Sequence, residues 1–224
     1  MRILRVHCSP RGARSESYRL ADRLVGLLRQ RYPDARLIDR GLGTSAIAHV
    51  DEGYADALGG HAEPSMDAGT MVHSERLIQE LEDADCLVIA TPMHNYTVPS
   101  ALKAWLDHIV RIHRSFAPGP TGKVGTLADR PVYVAIASGS RFDGERTRQP
   151  DFLTPYLTAI LNTVGLYDIH YFAVQGTALG ADALARARQA AEEKLAAFFS
   201  LPAAAGLHQA GKRFSHSSTS GSPR

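Results

Sequence analysis

Short apolar runs alternate along the chain with segments patterned at helical spacing, and this alternation restricts the possible folds more than any other feature. Ile3-Leu4-Arg5-Val6-His7-Cys8 reads as a strand, and Tyr18, Ala21, Leu24, Val25 and Leu28 recur behind it at helical spacing. Arg36-Leu37-Ile38 reads as a second short strand, and a helix covers Val72 to Leu81. The run Cys86-Leu87-Val88-Ile89-Ala90 stops at Thr91-Pro92 and is followed by the amphipathic set Leu102, Trp105, Leu106, Ile109 and Val110. Pro131 to Ala137 is a fourth strand ending in Ser138-Gly139-Ser140. Leu153, Tyr156, Leu157, Ile160, Leu161 and Val164 form another helix face, Ile169 to Val174 a fifth strand, and Ala181 to Phe199 the last helix. Strands each followed by a helix or crossover imply a parallel sheet with helices on both faces. In open sheets of this kind ligands sit at the carboxyl ends of the strands. Three loops fall there: Ser9 to Ser17, Thr91 to Pro99, and Ser138 to Gly144.

The first of these, Ser9-Pro10-Arg11-Gly12-Ala13-Arg14-Ser15-Glu16-Ser17, joins a strand to a helix N-terminus. Free N–H groups at a helix start, with the hydroxyls of Ser9, Ser15 and Ser17, suit a phosphate group. The loop lacks the Gly-Lys-Ser/Thr ending of a Walker loop and the G-x-G-x-x-G of a dinucleotide fingerprint. A phosphate monoester needs only hydroxyls, amides and an arginine. Taken alone, the segment leaves two readings open: an anchor for a phosphorylated ligand, or a helix capped by Ser15 with solvated serines around it. Glu16 is a mild objection to the first, met if its side chain points away while its N–H serves.

Composition fits one globular α/β domain: 224 residues, 44% hydrophobic, 21% charged. We expect the domain to span residues 1–202 and residues 203–224, rich in Ser, Gly and Pro, to be a disordered tail. A net charge of +2 is too small for a nucleic-acid footprint. The apolar runs fall short of the ~20 residues that span a membrane, and the chain reads as cytoplasmic. Cys8 and Cys86 lie on different strands and read as reduced and buried. Ten histidines raise the question of metal, but none pair at zinc-site spacing. His108 and His113, five apart on a helix, would point in different directions. Asp39 to Thr70 is a long Gly-rich connection with weak patterning, the mark of a functional lid or an interface. Phe116 and Phe142 look exposed. Trp105 and Pro99 read as core and helix-start residues.

Three pieces carry a resemblance. They are Ser9-Pro10-Arg11 with Ser15-Glu16-Ser17, the block Pro92-Met93-His94-Asn95-Tyr96-Thr97-Val98-Pro99 leading into Leu102-Lys103-Ala104-Trp105-Leu106-Asp107, and Ala137-Ser138-Gly139. Through most of residues 1–200 the chain resembles the flavodoxin-like FMN-dependent NAD(P)H azoreductases and quinone reductases. The resemblance implies a doubly wound five-stranded parallel sheet of order 2-1-3-4-5. It also implies a homodimer with FMN as cofactor, NADH or NADPH as co-substrate, and a quinone or azo compound as acceptor. In that family the first loop holds the FMN phosphate, the Pro-Met loop runs along the isoalloxazine ring, and the turn after the fourth strand approaches its pyrimidine end. The corresponding residues here are Ser9, Ser15, Glu16 and Ser17; Met93, His94, Asn95 and Tyr96; and Ser138, Gly139 and Ser140. His94 stands where a tyrosine is common, Ser140 where a second glycine is common, and the loop from Arg114 to Asp129 looks short. These departures bear on substrate choice. His94 is read as a substrate contact and not an obligatory acid. Flavin chemistry accounts for the lack of a Ser-His-Asp or Cys-His pairing, since the protein supplies orientation and the cofactor the reaction. The alternative class is a flavodoxin-like electron carrier or regulatory flavin-binding protein. The near-neutral charge disfavours it.

Overall fold

A computed structural model describes residues 1–43, 47–59 and 69–200. Its element order is β1 (Arg2–His7), α1 (Glu16–Arg31), β2 (Arg36–Gly41), α2 (Glu52–Gly59), α3 (Gly69–Asp83), β3 (Cys86–Pro92), α4 (Ser100–Ile109), β4 (Phe116–Gly119), β5 (Gly122–Gly125), β6 (Val132–Ser138), α5 (Leu153–Val164), β7 (Ile169–Gln175) and α6 (Ala181–Ser200). Five strands pair in parallel in the order β2-β1-β3-β6-β7. With the β4–β5 hairpin set aside, this is the expected order 2-1-3-4-5.

The sheet is covered on both sides because successive residues of a strand face opposite ways. Leu4, Val6, Leu87, Ile89, Val134 and Ile136 pack in one core with α3, α4 and α5, while Ile3, Val88, Ala90, Ala135, Phe172 and Val174 pack in a second with α1 and α6. That demand on both faces is why β3 is apolar from Cys86 to Ala90. Trp105 is 1% exposed, a core residue of α4 as expected. Cys8 and Cys86 are free and buried, and burial pushes the Cys8 thiol up to about 12. No described helix is long and apolar enough to cross a membrane.

Several expectations need correction. β2 runs to Gly41 and does not stop at Ile38, because its polar half is held by ion pairs: Arg5 reaches Asp39 at 2.8 Å, and Arg40 pairs with Glu80 on α3. The weakly patterned connection contains α2, whose one buried residue, Tyr54, leaves little periodic signal. Residues 44–46 and 60–68 of that connection, and the expected tail with its boundary near 202, lie outside the described residues. Helix α4 ends at Ile109, so His113 is not on it; it takes a left-handed φ of 60°. The stretch from Arg114 to Asp129 folds as the β4–β5 hairpin. Phe116 and Phe142 are each only 7% exposed. Among the described residues the exposed aromatics are Tyr96, Phe152 and Tyr167.

Candidate functional site

β1, β3 and β6 are adjacent in the sheet, so the three loops that follow them emerge side by side. Parallel strands about 4.8 Å apart put the first and third loops about 10 Å from each other. Residues separated by about 130 positions in the chain are thereby brought to one edge.

The first loop leaves the sheet at Cys8 and makes a 310 turn over Gly12–Arg14 before α1 begins. Gly12 has a left-handed φ of 54°, suited to glycine, and its N–H donates to the Ser9 carbonyl at 3.0 Å. Ser15 is the N-cap of α1: its Oγ accepts the Tyr18 N–H at 3.3 Å and donates to the Gly12 carbonyl at 2.9 Å. The capping reading of Ser15 therefore holds, and its one hydroxyl hydrogen is committed. The Ser15 N–H is bonded to Gly12 as well. The N–H groups of Glu16 and Ser17 are left as the unpaired donors that a helix start always presents. Ser17 is fully buried, and among the described residues its Oγ meets only that of Ser15, at 3.5 Å. Ser9 is 4% exposed, and its Oγ accepts the Arg11 N–H at 3.2 Å, which leaves its own hydrogen to donate.

The Glu16 carboxylate is drawn away from this cradle by a bidentate pair with Arg188 on α6, at 2.8 and 2.5 Å. The Arg188 hydrogen bonds hold its carboxyl below the usual carboxylate range. The pair with Arg188 offsets the charge that counts against Glu16 beside an anion. Sequence reasoning missed Gly43: a Cβ there would lie 2.2 Å from the Ser9 carbonyl oxygen, so only glycine lets the loop after β2 press against this one.

In the second loop Met93 is buried, its N–H bonded to the Ala137 carbonyl at 2.8 Å. His94 to Thr97 closes a tight turn, with N–H to carbonyl bonds of 2.9 and 3.0 Å in the two directions. Asn95 and Tyr96, at φ 48° and 72°, give the two left-handed central residues of a type I′ turn. A tyrosine held left-handed costs about 1–3 kcal/mol, and such outliers cluster at functional sites. The turn projects His94, Asn95 and Tyr96 into solvent, with Tyr96 47% exposed. The Phe152 N–H donates to the Tyr96 carbonyl at 3.1 Å, which sets a second exposed aromatic beside it. Pro99 is the N-cap of α4, one residue ahead of the helix it was expected to start.

In the third loop Ser138 is the buried last residue of β6, while Gly139 is exposed and Ser140 partly so. The carbonyls of Ser138 and Gly139 accept the N–H groups of Thr177 and Ala178 at 3.0 and 3.2 Å, so the loop after β7 supports this turn. Beyond it, the Gln149 side chain reaches back to Ser138 and Met93. Gln149 lies in a polar stretch without periodicity, and nothing in the sequence singled it out. A separate cleft of about 590 Å³, lined in part by Phe142, Asp151 and Tyr171, opens one strand further along and shares only the Phe142 segment with this edge.

The residues fit a phosphorylated aromatic ligand: hydroxyl and N–H donors at the positive end of α1, then a polarizable methionine and a projecting amide and aromatic pair along the edge. A family model described as a flavodoxin-like fold matches residues 1–199. The FMN-dependent NADH:quinone oxidoreductase 4 of Pseudomonas fluorescens is 50% identical over 182 residues, 81% of this chain and 87% of the relative. The FMN-dependent NADH:quinone oxidoreductase 5 of Burkholderia lata is 43% identical over 176 residues, 79% and 85% of the two chains. Among solved structures, an azoreductase from Bacillus anthracis superposes with a TM-score of 0.78 at 18% identity, covering 89% of this chain and 98% of that one. An FMN-dependent NADH-azoreductase from the same species, in complex with FMN, gives 0.72 at 22% identity over 88% and 98%. By the extent of the family match and by its identity to these relatives, the chain belongs to the flavodoxin-like fold family, alongside members named FMN-dependent NADH:quinone oxidoreductases.

Proposed function

We propose that the protein is an FMN-dependent oxidoreductase that passes two electrons from NADH or NADPH to quinones and azo compounds. The observation that carries this reading is the cradle at the start of α1, where the N–H groups of Glu16 and Ser17 have no protein acceptor among the described residues and the buried Ser17 hydroxyl has only a long 3.5 Å contact to Ser15 Oγ, at the sheet edge that also carries the Met93 turn. The names of relatives aligned over about four-fifths of the chain support it. Ser9, Ser15, Glu16 and Ser17 bind the phosphate, with Glu16 acting through its main chain and Ser15 through the cap that orients the turn. Met93, His94, Asn95 and Tyr96 line the ring, and Ser138, Gly139 and Ser140 meet its pyrimidine edge. The chemistry that FMN supplies when bound is acceptance of a hydride from the nicotinamide and delivery of two electrons to the acceptor. The protein's part is to hold the ring, leave one face open, and exclude bulk water beneath it with the buried Met93 side. Donor and acceptor use that open face in turn, which makes turnover ping-pong. We also infer a homodimer, supported by the exposed pair Tyr96 and Phe152 at the rim of the site.

The test is the visible spectrum of the purified protein, followed by NADH and NADPH oxidation with a benzoquinone acceptor. Rapid acceptor-dependent oxidation with parallel initial-rate plots is expected. Intersecting plots would overturn the ping-pong assignment, and bound flavin without nicotinamide oxidation would identify an electron carrier instead.

A further inference from the structure

We propose that Gln149 is a positioning residue of the flavin site, clamping the loop after β3 to the loop after β6. The inference rests on the proposed function for the identity of the ligand and on side-chain geometry for the clamp. The Gln149 Nε2 donates to Ser138 Oγ at 2.8 Å and contacts Met93 Sδ at 2.9 Å, and the Ser138 hydroxyl points to the same sulfur at 3.9 Å. Three side chains from three segments thus close a triangle. Two of them are buried and belong to the ring-lining loops, while the third comes from a segment with no other tie to Met93 among the described residues.

The segment delivering Gln149 is itself held in place. The Arg148 N–H donates to the Arg141 carbonyl at 2.8 Å, and the Thr147 N–H to the Gly144 carbonyl at 3.2 Å, so residues 141–148 form a closed excursion. Its base is fixed to the end of β7, where Gln175 Oε1 accepts the N–H groups of Phe142 at 2.7 Å and Asp143 at 3.2 Å. A side-chain amide presented from a closed loop loses little further freedom when it makes its two contacts. An amide is also the group this position needs. Its two N–H donors serve a hydroxyl oxygen and a thioether at once, whereas a carboxylate of equal length has none and an aliphatic chain leaves the buried Ser138 oxygen without that donor. The Met93 and Ser138 side chains would then lose their shared partner, and although the Met93 N–H stays bonded to the Ala137 carbonyl at 2.8 Å, the Met93 side chain would lose its fixed position against Ser138.

The test compares wild type with Gln149→Leu and Gln149→Glu by two readouts. One is FMN binding, followed by flavin fluorescence and the visible bands of the bound ring. The other is the Met93 methyl resonance in protein carrying 13C-methyl methionine, recorded without cofactor, where only four methionines contribute. Both variants are expected to raise the FMN dissociation constant about tenfold, the scale of two lost hydrogen bonds. They should also shift the bound-flavin bands and move the Met93 signal, with little change in thermal midpoint. Unchanged binding and an unmoved methyl signal would overturn the clamp. Weakened binding with the Met93 signal unmoved would overturn it too, since Gln149 would then act on the ring directly. If wild type bound no FMN, the proposed function would fall, while the methyl signal of the cofactor-free protein would still decide the clamp.

Discussion

A buried hydroxyl with only a long hydrogen bond is weakly satisfied, and Ser17, fully buried with its single contact among the described residues at 3.5 Å to Ser15 Oγ, is in that position. A bound phosphate removes the imbalance. Replacing Ser9 and Ser17 together by alanine should therefore lower FMN affinity by about 3 kcal/mol or more, at roughly 1.5–3 kcal/mol for each charged hydrogen bond; unchanged affinity in a fluorescence titration would reject the assignment. Arg188 acts one step removed. Arg188→Ala releases the Glu16 carboxylate beside the anion site, and FMN binding should weaken several-fold at low salt and recover when Glu16→Gln is added, as titrations at two ionic strengths would reveal. His94 stands exposed on the turn, and hydride transfer needs no side-chain proton. His94→Tyr should stay active with a changed ratio of quinone to azo-dye turnover, while loss of acceptor reduction in both His94→Tyr and His94→Ala, with flavin reduction intact, would make it a proton donor. At this scale the sequence was legible where chemistry is local. Ser15 followed by a helical pattern already specifies a cap, whereas the role of Gly43 depends on a neighbour 34 positions away that only the sheet brings near.

Elements were legible where burial imposes a period. β3 and α4 stand out because both faces of the first and one face of the second are apolar; β4 and β5 do not, because Pro118, Gly119 and Gly122 carry no strand signal. Phe116 and Phe142 looked exposed for a similar reason, sitting among polar and glycine residues while their side chains turn inward. Helix α4 links the turn to the core, since it starts one residue past Pro99 and buries Leu102, Trp105, Leu106 and Ile109. Trp105→Ala should cost about 3–5 kcal/mol of stability, the usual range for removing a buried large aromatic, and loosen the turn that α4 anchors. Urea unfolding with and without FMN would measure both effects; a loss under about 1 kcal/mol would contradict the packing described here.

For the molecule as a whole, arginine–carboxylate pairs join helices to the sheet and to one another. Hydrogen bonds from Arg188, Arg5 and Arg114 hold Glu16, Asp39 and Glu75 respectively below the ordinary carboxylate range. A depressed carboxylate contributes stability above its unfolded pKa of about 4, and that contribution is lost as pH falls through the folded value. Burial also lowers the pKa of His7 and His73, so the unfolded chain takes up protons first as pH falls through about 6.5. Thermal midpoints should thus decline gently from about pH 7 to about pH 5 and drop steeply below about pH 4; a midpoint that rose on acidification would reverse the sign. Light scattering should give a dimer that Tyr96→Ser with Phe152→Ser dissociates, and a fully active wild-type monomer would refute the assembly. The strand order was legible only through resemblance, because periodicity identifies strands without saying which are neighbours. That order has a consequence for synthesis. β1 is made before the other strands of the sheet, yet in the finished sheet it lies between β2 and β3, and its loop is joined by those after β3 and β6 only once β6 exists. The sequence through Ser138 must therefore emerge before the three loops can stand side by side. Such long-range pairing is slow to form, and a cofactor that binds only the native site stabilises the finished domain without helping the nascent chain.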